Sequence, residues 1–276
     1  MHWQTTRFQI DLSRPQVMGI VNVTPDSFSD GGQHASTAAA LSHCEQLLKD
    51  GADILDIGGE STRPGSPAVT LDEELARVLP VVRGALSMGV PVSVDTYKPE
   101  VMRALLDLGA DIVNDVWALR RGDALQVVAA HPGCGICLMH MHRDPQTMQA
   151  APMDGDVLVP VRAFLQERAQ ALHALGVAAD RITLDPGIGF GKTVAQNFSL
   201  LARQAELLDL GYPLLAGWSR KSSLGAVTGR EQPAERVAAS VAAALLAVER
   251  GARIVRVHDV RDTVDALKVW QAATSA

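Results

Sequence analysis

Short apolar segments rich in β-branched residues recur along the chain, and most of them are followed by a stretch with helical spacing. The segments predicted to form strands are Val17–Val23, Ile54–Ile57, Val92–Asp95, Ile112–Val116, Gly135–His140, Ile182–Asp185, Pro213–Gly217 and Ile254–His258. A shorter strand candidate, Phe8–Leu12, precedes them. The helical stretches include Ser36–Lys49, Leu71–Leu86, Glu100–Leu108, Val157–Leu175 and Ala234–Arg250. The pattern therefore predicts an alternation of strands and helices.

The strand candidates are apolar on both faces, as expected where helices cover both sides of a parallel sheet. Eight strand–helix units of roughly 30 to 35 residues each match the size of a (β/α)₈ barrel. A doubly wound open sheet would instead need a glycine fingerprint after the first strand, where residues 22–32 form a long polar loop. No linker-like tract divides the chain. We therefore predict an α/β fold, a single-domain (β/α)₈ TIM barrel over residues 1–276 with a short N-terminal strand.

The composition fits a globular enzyme, since 47% of the residues are hydrophobic and 20% are charged. The 31 acidic and 25 basic residues give a net charge of −6, which offers no general attraction for nucleic acid or an anionic membrane. The longest nearly apolar stretch, Val237 to Val248, is shorter than the ~20 residues of a spanning helix. The N-terminus lacks the basic and apolar regions of a secretory signal, so we expect a cytoplasmic protein.

Polar residues stand at or just after the end of each predicted strand. They are Asn22, Asp56, Glu60 to Arg63, Asp95, Asn114, Asp115, His140, Asp185, Ser219 to Ser222, Arg256 and His258. The carboxyl ends of parallel barrel strands share one face, so these side chains are predicted to meet at one mouth. Any one of them alone could simply mark where a strand emerges into water. Polar residues at all eight strand ends favour a functional site instead.

Two local motifs are set aside. Residues 187–193 end like a phosphate-binding Walker A loop, but the required first glycine falls on Pro186. We interpret the segment as a close-packed turn after the sixth barrel strand. Residues 131–142 carry a string of histidines and cysteines that resembles zinc ligands, yet residues three apart on a strand, such as Cys134 and Cys137, point to opposite faces. Burial in the strand explains these cysteines better.

Two long segments, residues 22–32 (Asn-Val-Thr-Pro-Asp-Ser-Phe-Ser-Asp-Gly-Gly) and 56–65 (Asp-Ile-Gly-Gly-Glu-Ser-Thr-Arg-Pro-Gly), closely resemble dihydropteroate synthases. The resemblance continues in barrel order through Ser93–Thr96, Asn114–Asp115, Leu138–Met141, Asp185–Lys192, Ser219–Ser222 and Arg256–His258. It implies an enzyme of folate biosynthesis. Such an enzyme condenses 6-hydroxymethyl-7,8-dihydropterin diphosphate with p-aminobenzoate, giving 7,8-dihydropteroate and pyrophosphate.

The resemblance places the pterin in the barrel mouth. The residues it assigns to pterin binding are Asp95, Asn114, Asp185, Lys221, Met139 and Phe190. A pterin presents adjacent hydrogen-bond donors and acceptors along one ring edge, which carboxylate, amide and ammonium groups can match. Met139 and Phe190 would pack on the flat ring, although ordinary core packing explains both equally well.

The resemblance also implies sites for the diphosphate and its metal ion. The residues it assigns to the diphosphate are Asn22, Arg63, Ser219, Arg256 and His258. Asn22 would also be a ligand of the cofactor Mg²⁺, which is usually held through phosphates and few protein oxygens. Lys221, Arg256 and Arg63 are assigned to catalysis, where positive charge would stabilise the departing pyrophosphate. The attacking arylamine needs no prior deprotonation, so we expect no nucleophilic triad.

The second substrate would bind beside the first. The residues assigned to p-aminobenzoate are Thr62, Pro64, Phe28, Phe190, Lys221 and Ser222. Sulfonamides mimic p-aminobenzoate and are expected to compete with it at this site. The family resemblance further implies a homodimer, for which the alanine-rich stretch Ala234 to Ala247 offers a smooth packing surface.

Two other functions fit parts of the same pattern. A methyltetrahydrofolate corrinoid methyltransferase shares the pterin-binding barrel but needs no diphosphate loop or arylamine pocket, and a non-catalytic pterin-binding paralogue would keep only the barrel. Residues 22–29 and 219–222 favour the synthase over the methyltransferase. Retention of Asn22, Arg63, Lys221, Arg256 and His258 argues against the non-catalytic paralogue. The chain departs from the family pattern at Arg143, where family members commonly carry a glycine, and at Trp218, a large residue beside the expected pterin floor.

Overall fold

The computed structural model describes residues 1–24, 32–62 and 65–275, without the side chains of residues 32–35. The strands in this part of the chain are β1 (His2–Gln4), β2 (Gln9–Asp11), β3 (Gln16–Asn22), β4 (Ile54–Gly58), β5 (Val92–Asp95), β6 (Ile112–Asp115), β7 (Gly135–Met139), β8 (Ile182–Asp185), β9 (Leu214–Ala216) and β10 (Ala252–Val257). The α-helices are α1 (Gly32–Lys49), α2 (Leu71–Ala85), α3 (Pro99–Leu108), α4 (Ala124–Ala130), α5 (Leu158–His173), α6 (Val194–Ala202), α7 (Ser222–Thr228), α8 (Val237–Glu249) and α9 (Val260–Thr274).

Strands β3 to β10 form a closed parallel barrel in the order β10-β3-β4-β5-β6-β7-β8-β9. Since a helix follows each strand, the carboxyl ends of the strands and the loops after them lie on one face. The predicted TIM barrel is therefore confirmed. The assignment of the whole chain to a single domain stays a prediction.

The eight predicted barrel strands agree with the observed ones to within two residues at each end. The predicted N-terminal strand was incomplete, because β1 and β2 form an antiparallel hairpin in which Trp3 pairs with Ile10. The alanine-rich stretch from Ala234 was predicted as one helix, but its first turn, Pro233–Arg236, is a 3₁₀ helix that precedes α8. Within the described residues, no helix is long and apolar enough to cross a membrane.

The N-terminal hairpin closes the barrel at the amino ends of the strands. Trp3 is fully buried, and its indole Nε1 donates a hydrogen bond to the Arg181 carbonyl oxygen at 3.0 Å. Around Trp3 lies an apolar cluster inside the barrel, which we call the floor cluster. Its residues are Trp3, Ile10, Leu12, Met18, Ile54, Ile112, Cys137, Leu215 and Ile254. The floor cluster therefore seals the end of the barrel opposite the loops that follow the strands.

Removing the Trp3 side chain should lower the stability of the fold more than it changes the cavity at the other end of the barrel. We expect Trp3→Ala to lower the free energy of unfolding by about 3 to 5 kcal/mol, because it leaves a cavity and an unpaired carbonyl in the floor cluster. Denaturant unfolding measures the loss. The matched control is Val269→Ala on α9. The Val269 side chain is 72% exposed, so this change should lower the free energy of unfolding only slightly. Equal stability of the two variants would contradict the sealing role of Trp3.

Candidate active site

A cavity of about 310 Å³ opens at the carboxyl ends of the barrel strands. Every binding or catalytic residue that the family resemblance assigned and the structure describes lines it: Asn22, Thr62, Asp95, Asn114, Met139, Asp185, Phe190, Ser219, Lys221, Ser222, Arg256 and His258. Four other polar residues expected at this mouth from their place after a strand do not line it: Asp56, Ser61, Asp115 and His140. The other three assigned residues, Phe28, Arg63 and Pro64, lie outside the described part of the chain. Residues that are more than two hundred positions apart in sequence therefore meet around one space.

Arg256 connects two buried carboxylates in the cavity wall. Its Nε donates to Asp56 Oδ2 at 2.6 Å, and its Nη2 donates to Asp95 Oδ2 at 2.7 Å. Asn114 Nδ2 also donates to Asp56 Oδ2, at 3.2 Å. These four residues come from the ends of β10, β4, β5 and β6, so the closure of the barrel is what builds the network. The network fixes the Asp95 carboxylate and the Asn114 amide beside the cavity.

The pKa values of Asp95 and Arg256 in this network are shifted far from their usual values. Burial raises the pKa of the Asp95 carboxyl to about 7. Attraction by Arg256 lowers this pKa, whereas repulsion from Asp56 raises it further. Burial lowers the pKa of Arg256, but the negative charges of Asp56 and Asp95 outweigh burial and raise it overall, so the guanidinium stays charged. Asp95 is therefore a buried carboxyl that can change its protonation near neutral pH.

Asp185 approaches the cavity from the end of β8. Its Oδ1 accepts a hydrogen bond from the Gly187 amide at 2.7 Å. Burial raises the pKa of Asp185 above its usual value, although the hydrogen bond from Gly187 and the positive charge of Lys221 partly offset this rise. The loop that follows, residues 186–192, turns through left-handed backbone at Gly187, Gly189 and Gly191. The close-packed turn expected here is confirmed, since a Cβ on Gly187 would lie 1.8 Å from the His140 carbonyl oxygen.

The opposite wall carries cationic and hydroxyl groups. The Lys221 ammonium lies 4.4 Å from the centroid of the Phe190 ring, a cation–π contact that places both groups at the cavity. Ser219 Oγ accepts a hydrogen bond from the His258 amide at 3.0 Å and lies 3.0 Å from His258 Nδ1. The cavity therefore combines acidic and amide groups deep in the barrel with Lys221, Ser219 and His258 nearer the loops.

Comparisons with known proteins show the family of this chain. A family model described as pterin binding enzyme matches residues 18–258. A dihydropteroate synthase of Neisseria meningitidis serogroup C is 54% identical over 273 residues, which cover 98% of this chain and 96% of that relative. The chain belongs to the dihydropteroate synthase family.

Solved structures of dihydropteroate synthases share the whole fold. The enzyme of Burkholderia cenocepacia, complexed with 7,8-dihydropteroate, is 54% identical with a TM-score of 0.90, covering 99% of this chain and 96% of that chain. The enzyme of Yersinia pestis, solved with a sulfonamide drug complex, is 45% identical with a TM-score of 0.94, covering 100% of both chains. All three relatives carry the name of the synthase, and none carries that of the corrinoid methyltransferase.

Several residues of this dihydropteroate synthase cavity were given no binding or catalytic role from the sequence. They are Ile20, Glu60, Val116, Met148, Gln149, Ile188, Gly189, Gly217, Arg220, Pro233 and Arg236. The sequence did place Glu60 and Arg220 at the barrel mouth, because both stand among the polar residues that follow a strand. Gln149 carried no such signal: it lies in the long loop after β7 and reaches the cavity by donating to the Gly189 carbonyl oxygen at 2.7 Å.

The two departures from the dihydropteroate synthase pattern have different outcomes. Arg143 adopts a left-handed backbone with φ +63°, the conformation that a glycine favours, at a cost of about 1 to 2 kcal/mol. Trp218 is 1% exposed and does not line the cavity. Because neighbouring residues of the chain alternate in direction, Gly217 and Ser219 face the cavity while Trp218 packs outward on Phe198, with ring centroids 5.3 Å apart. Trp218 therefore lies behind the cavity wall, although both of its chain neighbours line the cavity.

Proposed function

We propose that this cavity condenses 6-hydroxymethyl-7,8-dihydropterin diphosphate with p-aminobenzoate, releasing 7,8-dihydropteroate and pyrophosphate. The chain is a transferase of folate biosynthesis by its family. One observation carries the residue-level proposal: a single cavity joins a buried acidic and amide wall to a mouth with lysine, serine and histidine. The relative from Burkholderia cenocepacia, complexed with 7,8-dihydropteroate, supports the choice of substrates.

The deep wall is the proposed pterin site. Asp95, Asn114 and Asp185 present carboxylate and amide groups at the ends of three neighbouring or near-neighbouring strands, which suits the donor and acceptor edge of a pterin. Met139 and Phe190 supply apolar surface for the ring. Lys221, held over Phe190, would complete the polar contacts from the loop after β9.

The mouth is the proposed site of the diphosphate. Ser219 and His258 are already hydrogen-bonded to each other, so they form one preset pair beside the cavity. Arg256 has two guanidinium nitrogens committed to Asp56 and Asp95, and Nη1 has no hydrogen-bond partner among the described residues. We therefore assign Arg256 first to holding Asp95 and secondly to charge stabilisation of the diphosphate. Arg63 keeps its assignment from the sequence.

Magnesium would be held at Asn22. No group of three or more histidine, cysteine or acidic side chains suited to a metal ion occurs among the described residues. The amide of Asn22 lines the cavity at the end of β3 and fits an ion that keeps its waters and binds mainly through substrate phosphates. When bound, Mg²⁺ would neutralise negative charge on the departing pyrophosphate.

The p-aminobenzoate site is proposed in the same cavity, next to the pterin site. Thr62, Ser222 and Phe190 line the outer part of the same cavity and are the proposed p-aminobenzoate contacts, together with Lys221. Phe28 and Pro64 belong to this proposal on the family pattern alone. In the reaction the bond between the pterin methylene carbon and the diphosphate oxygen breaks, a bond from that carbon to the arylamine nitrogen forms, and the nitrogen releases one proton to solvent while pyrophosphate leaves. The residues then act by positioning and by charge, without a covalent intermediate.

The decisive experiment is direct. Purified protein is mixed with Mg²⁺ and both substrates, and the formation of dihydropteroate and pyrophosphate is followed together. Equimolar release of the two products supports the proposal. Protein that binds a pterin but releases neither product would point to the non-catalytic alternative.

Replacing Asn22 should change the metal requirement. We expect Asn22→Ala to raise the Mg²⁺ concentration needed for half-maximal activity several-fold, because one direct ligand is lost. The measurement is the rate as a function of Mg²⁺ at saturating substrates. The control is Gln46→Ala, a change on α1 at a side chain that bonds Asp50 rather than the cavity. An unchanged magnesium dependence in Asn22→Ala would remove Asn22 from the metal site.

Pterin affinity should depend on pH through Asp95. Its pKa near 7 means that the carboxyl takes up a proton as the pH falls below neutrality, and the protonated acid accepts fewer hydrogen bonds from the pterin N–H groups. We expect calorimetric affinity for 6-hydroxymethylpterin to fall between pH 8 and pH 6. Asp95→Asn should bind more weakly and lose most of this pH dependence. A variant with the wild-type pH profile would show that another group titrates.

We also propose sulfonamide competition and a homodimer. The Yersinia pestis relative, solved with a sulfonamide drug complex, supports the first; competition should raise the apparent KM for p-aminobenzoate only. The proposed homodimer is supported by an apolar groove along α8, which is lined by Val237, Ala238, Val241, Ala242, Leu245 and Asp262. Analytical ultracentrifugation should find a dimer that Val241→Glu dissociates, and a monomeric wild type would exclude it.

A further inference from the structure

Lys192 is a buried lysine that forms no direct ion pair with a described residue, although the Asp185 carboxylate attracts it from a longer distance. Its side chain is almost inaccessible, with 3% exposure, and no carboxylate of the described residues lies within ion-pair distance of it. Its ammonium instead donates to the Gly187 carbonyl oxygen at 2.8 Å, to His140 Nδ1 at 2.9 Å and to the Phe190 carbonyl oxygen at 3.2 Å. An ammonium has three protons, so these three contacts use all of them.

A buried ammonium is costly unless it is fully hydrogen-bonded. Burial lowers the pKa of Lys192 to about 7, which reflects that cost. Burial and the neighbouring ammonium lower the pKa of His140 to about 2, so the imidazole is neutral and its Nδ1 can accept. Burying the Lys192 ammonium therefore costs free energy, and all of its hydrogen bonds go to His140 and to the loop of residues 186–192.

Lys192 joins two loops that already touch. His140 follows β7, and its amide donates to the Asp185 carbonyl oxygen at 2.9 Å. Gly187 packs so closely on the His140 carbonyl that no larger residue fits. By holding Gly187, Phe190 and His140 at once, the ammonium fixes the loop after β8 against the end of β7.

The same loop is secured from its other side. The Gly189 amide donates to Asn197 Oδ1 at 2.9 Å, and Asn197 Nδ2 donates to Ser223 Oγ at 3.0 Å. Ser223 lies in α7, two residues after Lys221. The Gly191 carbonyl accepts from the Met153 amide at 2.9 Å. These bonds connect the loop to both neighbours, and Lys192 is the charged member of the set.

We propose that Lys192 is a positioning residue for pterin binding. It does not line the cavity, whereas Asp185, Gly189 and Phe190 of the same segment do. Its ammonium holds the backbone turn that sets the direction of the Asp185 carboxyl and the Phe190 ring. The inference rests on the proposed function, because it assigns Lys192 to the pterin half of that site. The segment that resembled a Walker A loop thus binds its own carbonyls with its lysine rather than a phosphate.

The test replaces Lys192 by methionine, which keeps the length of the side chain and removes the charge and donors. We expect the KM for the pterin diphosphate and the calorimetric Kd for 6-hydroxymethylpterin to rise tenfold or more, with kcat changing less than threefold. Hydrogen exchange of residues 186–192 should accelerate at least tenfold. The control is Lys268→Met on α9, whose side chain is 71% exposed and touches neither loop.

The outcomes separate positioning from folding. A simple folding defect reduces the active fraction, so kcat falls while both KM values stay the same, and that result would overturn the proposal. Unchanged pterin affinity and unchanged exchange would also overturn it. If Lys192→Met does not fold, Lys192→Gln retains donors, and partial recovery of pterin affinity is required. If the wild type forms no dihydropteroate, the proposed function fails, while the exchange measurement still tests the role of Lys192.

Discussion

Replacement of Arg256 by methionine is expected to lower kcat/KM by well over tenfold, which corresponds to about 1.4 kcal/mol or more of transition-state stabilisation. The guanidinium bonds the Asp95 carboxylate at the cavity and, in the proposed function, adds positive charge beside the diphosphate. Steady-state kinetics with both substrates measures the loss. Rates close to those of the wild type would remove Arg256 from the chemistry.

The same variant should be less stable, and this effect can be separated from the kinetic one. Without Arg256, Asp56 stays fully buried and has no other cationic partner among the described residues, and breaking such a pair costs about 3 to 5 kcal/mol. Adding Asp56→Asn to Arg256→Met removes the unpaired charge. We expect the double variant to regain much of the unfolding free energy but not the activity. Recovery of both would mean that Arg256 acts only as a structural counterion.

Replacement of Lys221 by alanine is expected to lower kcat/KM by well over tenfold for both substrates. Lys221 is assigned to the pterin edge, to p-aminobenzoate and to catalysis, and its ammonium lies over Phe190 between the proposed sites. The measurement is kcat/KM for each substrate with the other saturating. Lys268→Ala, an exposed lysine on α9, is the control and should leave both values unchanged.

The loss at Lys221 could also arise through Phe190. Phe190→Leu tests this, because it keeps the ammonium and most of the apolar volume while removing the cation–π contact. We expect this variant to lose less activity than Lys221→Ala. An equal or greater loss in Phe190→Leu would show that the ring, rather than the ammonium, carries the effect.

The barrel and its strand ends could be predicted from the sequence because both depend on local patterns. The apolar strands are short and separated by helical spacing, and the geometry of a parallel barrel then places Asn22, Asp95, Asp185 and Arg256 at one face. Their convergence required no knowledge of individual contacts. The bounds of the strands followed to within two residues for the same reason.

Contacts between distant residues could not be predicted. Spacing does not reveal that Arg256 pairs with Asp56, because that pairing depends on the closure of the barrel. Trp3 showed no periodic signal, since it lies in a strand of three residues. Lys192 was interpreted as part of a turn, and only the structure shows where its ammonium points.

The floor cluster determines how molecules can enter and leave. Trp3 and its neighbours fill the barrel opposite the cavity, so the reactants of the proposed reaction would enter, and its products would leave, through the opening at the carboxyl ends of the strands. In the proposed binding mode pyrophosphate forms nearer that opening than the pterin ring does, so it can leave while dihydropteroate is still bound. Product inhibition should therefore show an obligatory sequence of release, with the folate precursor leaving last.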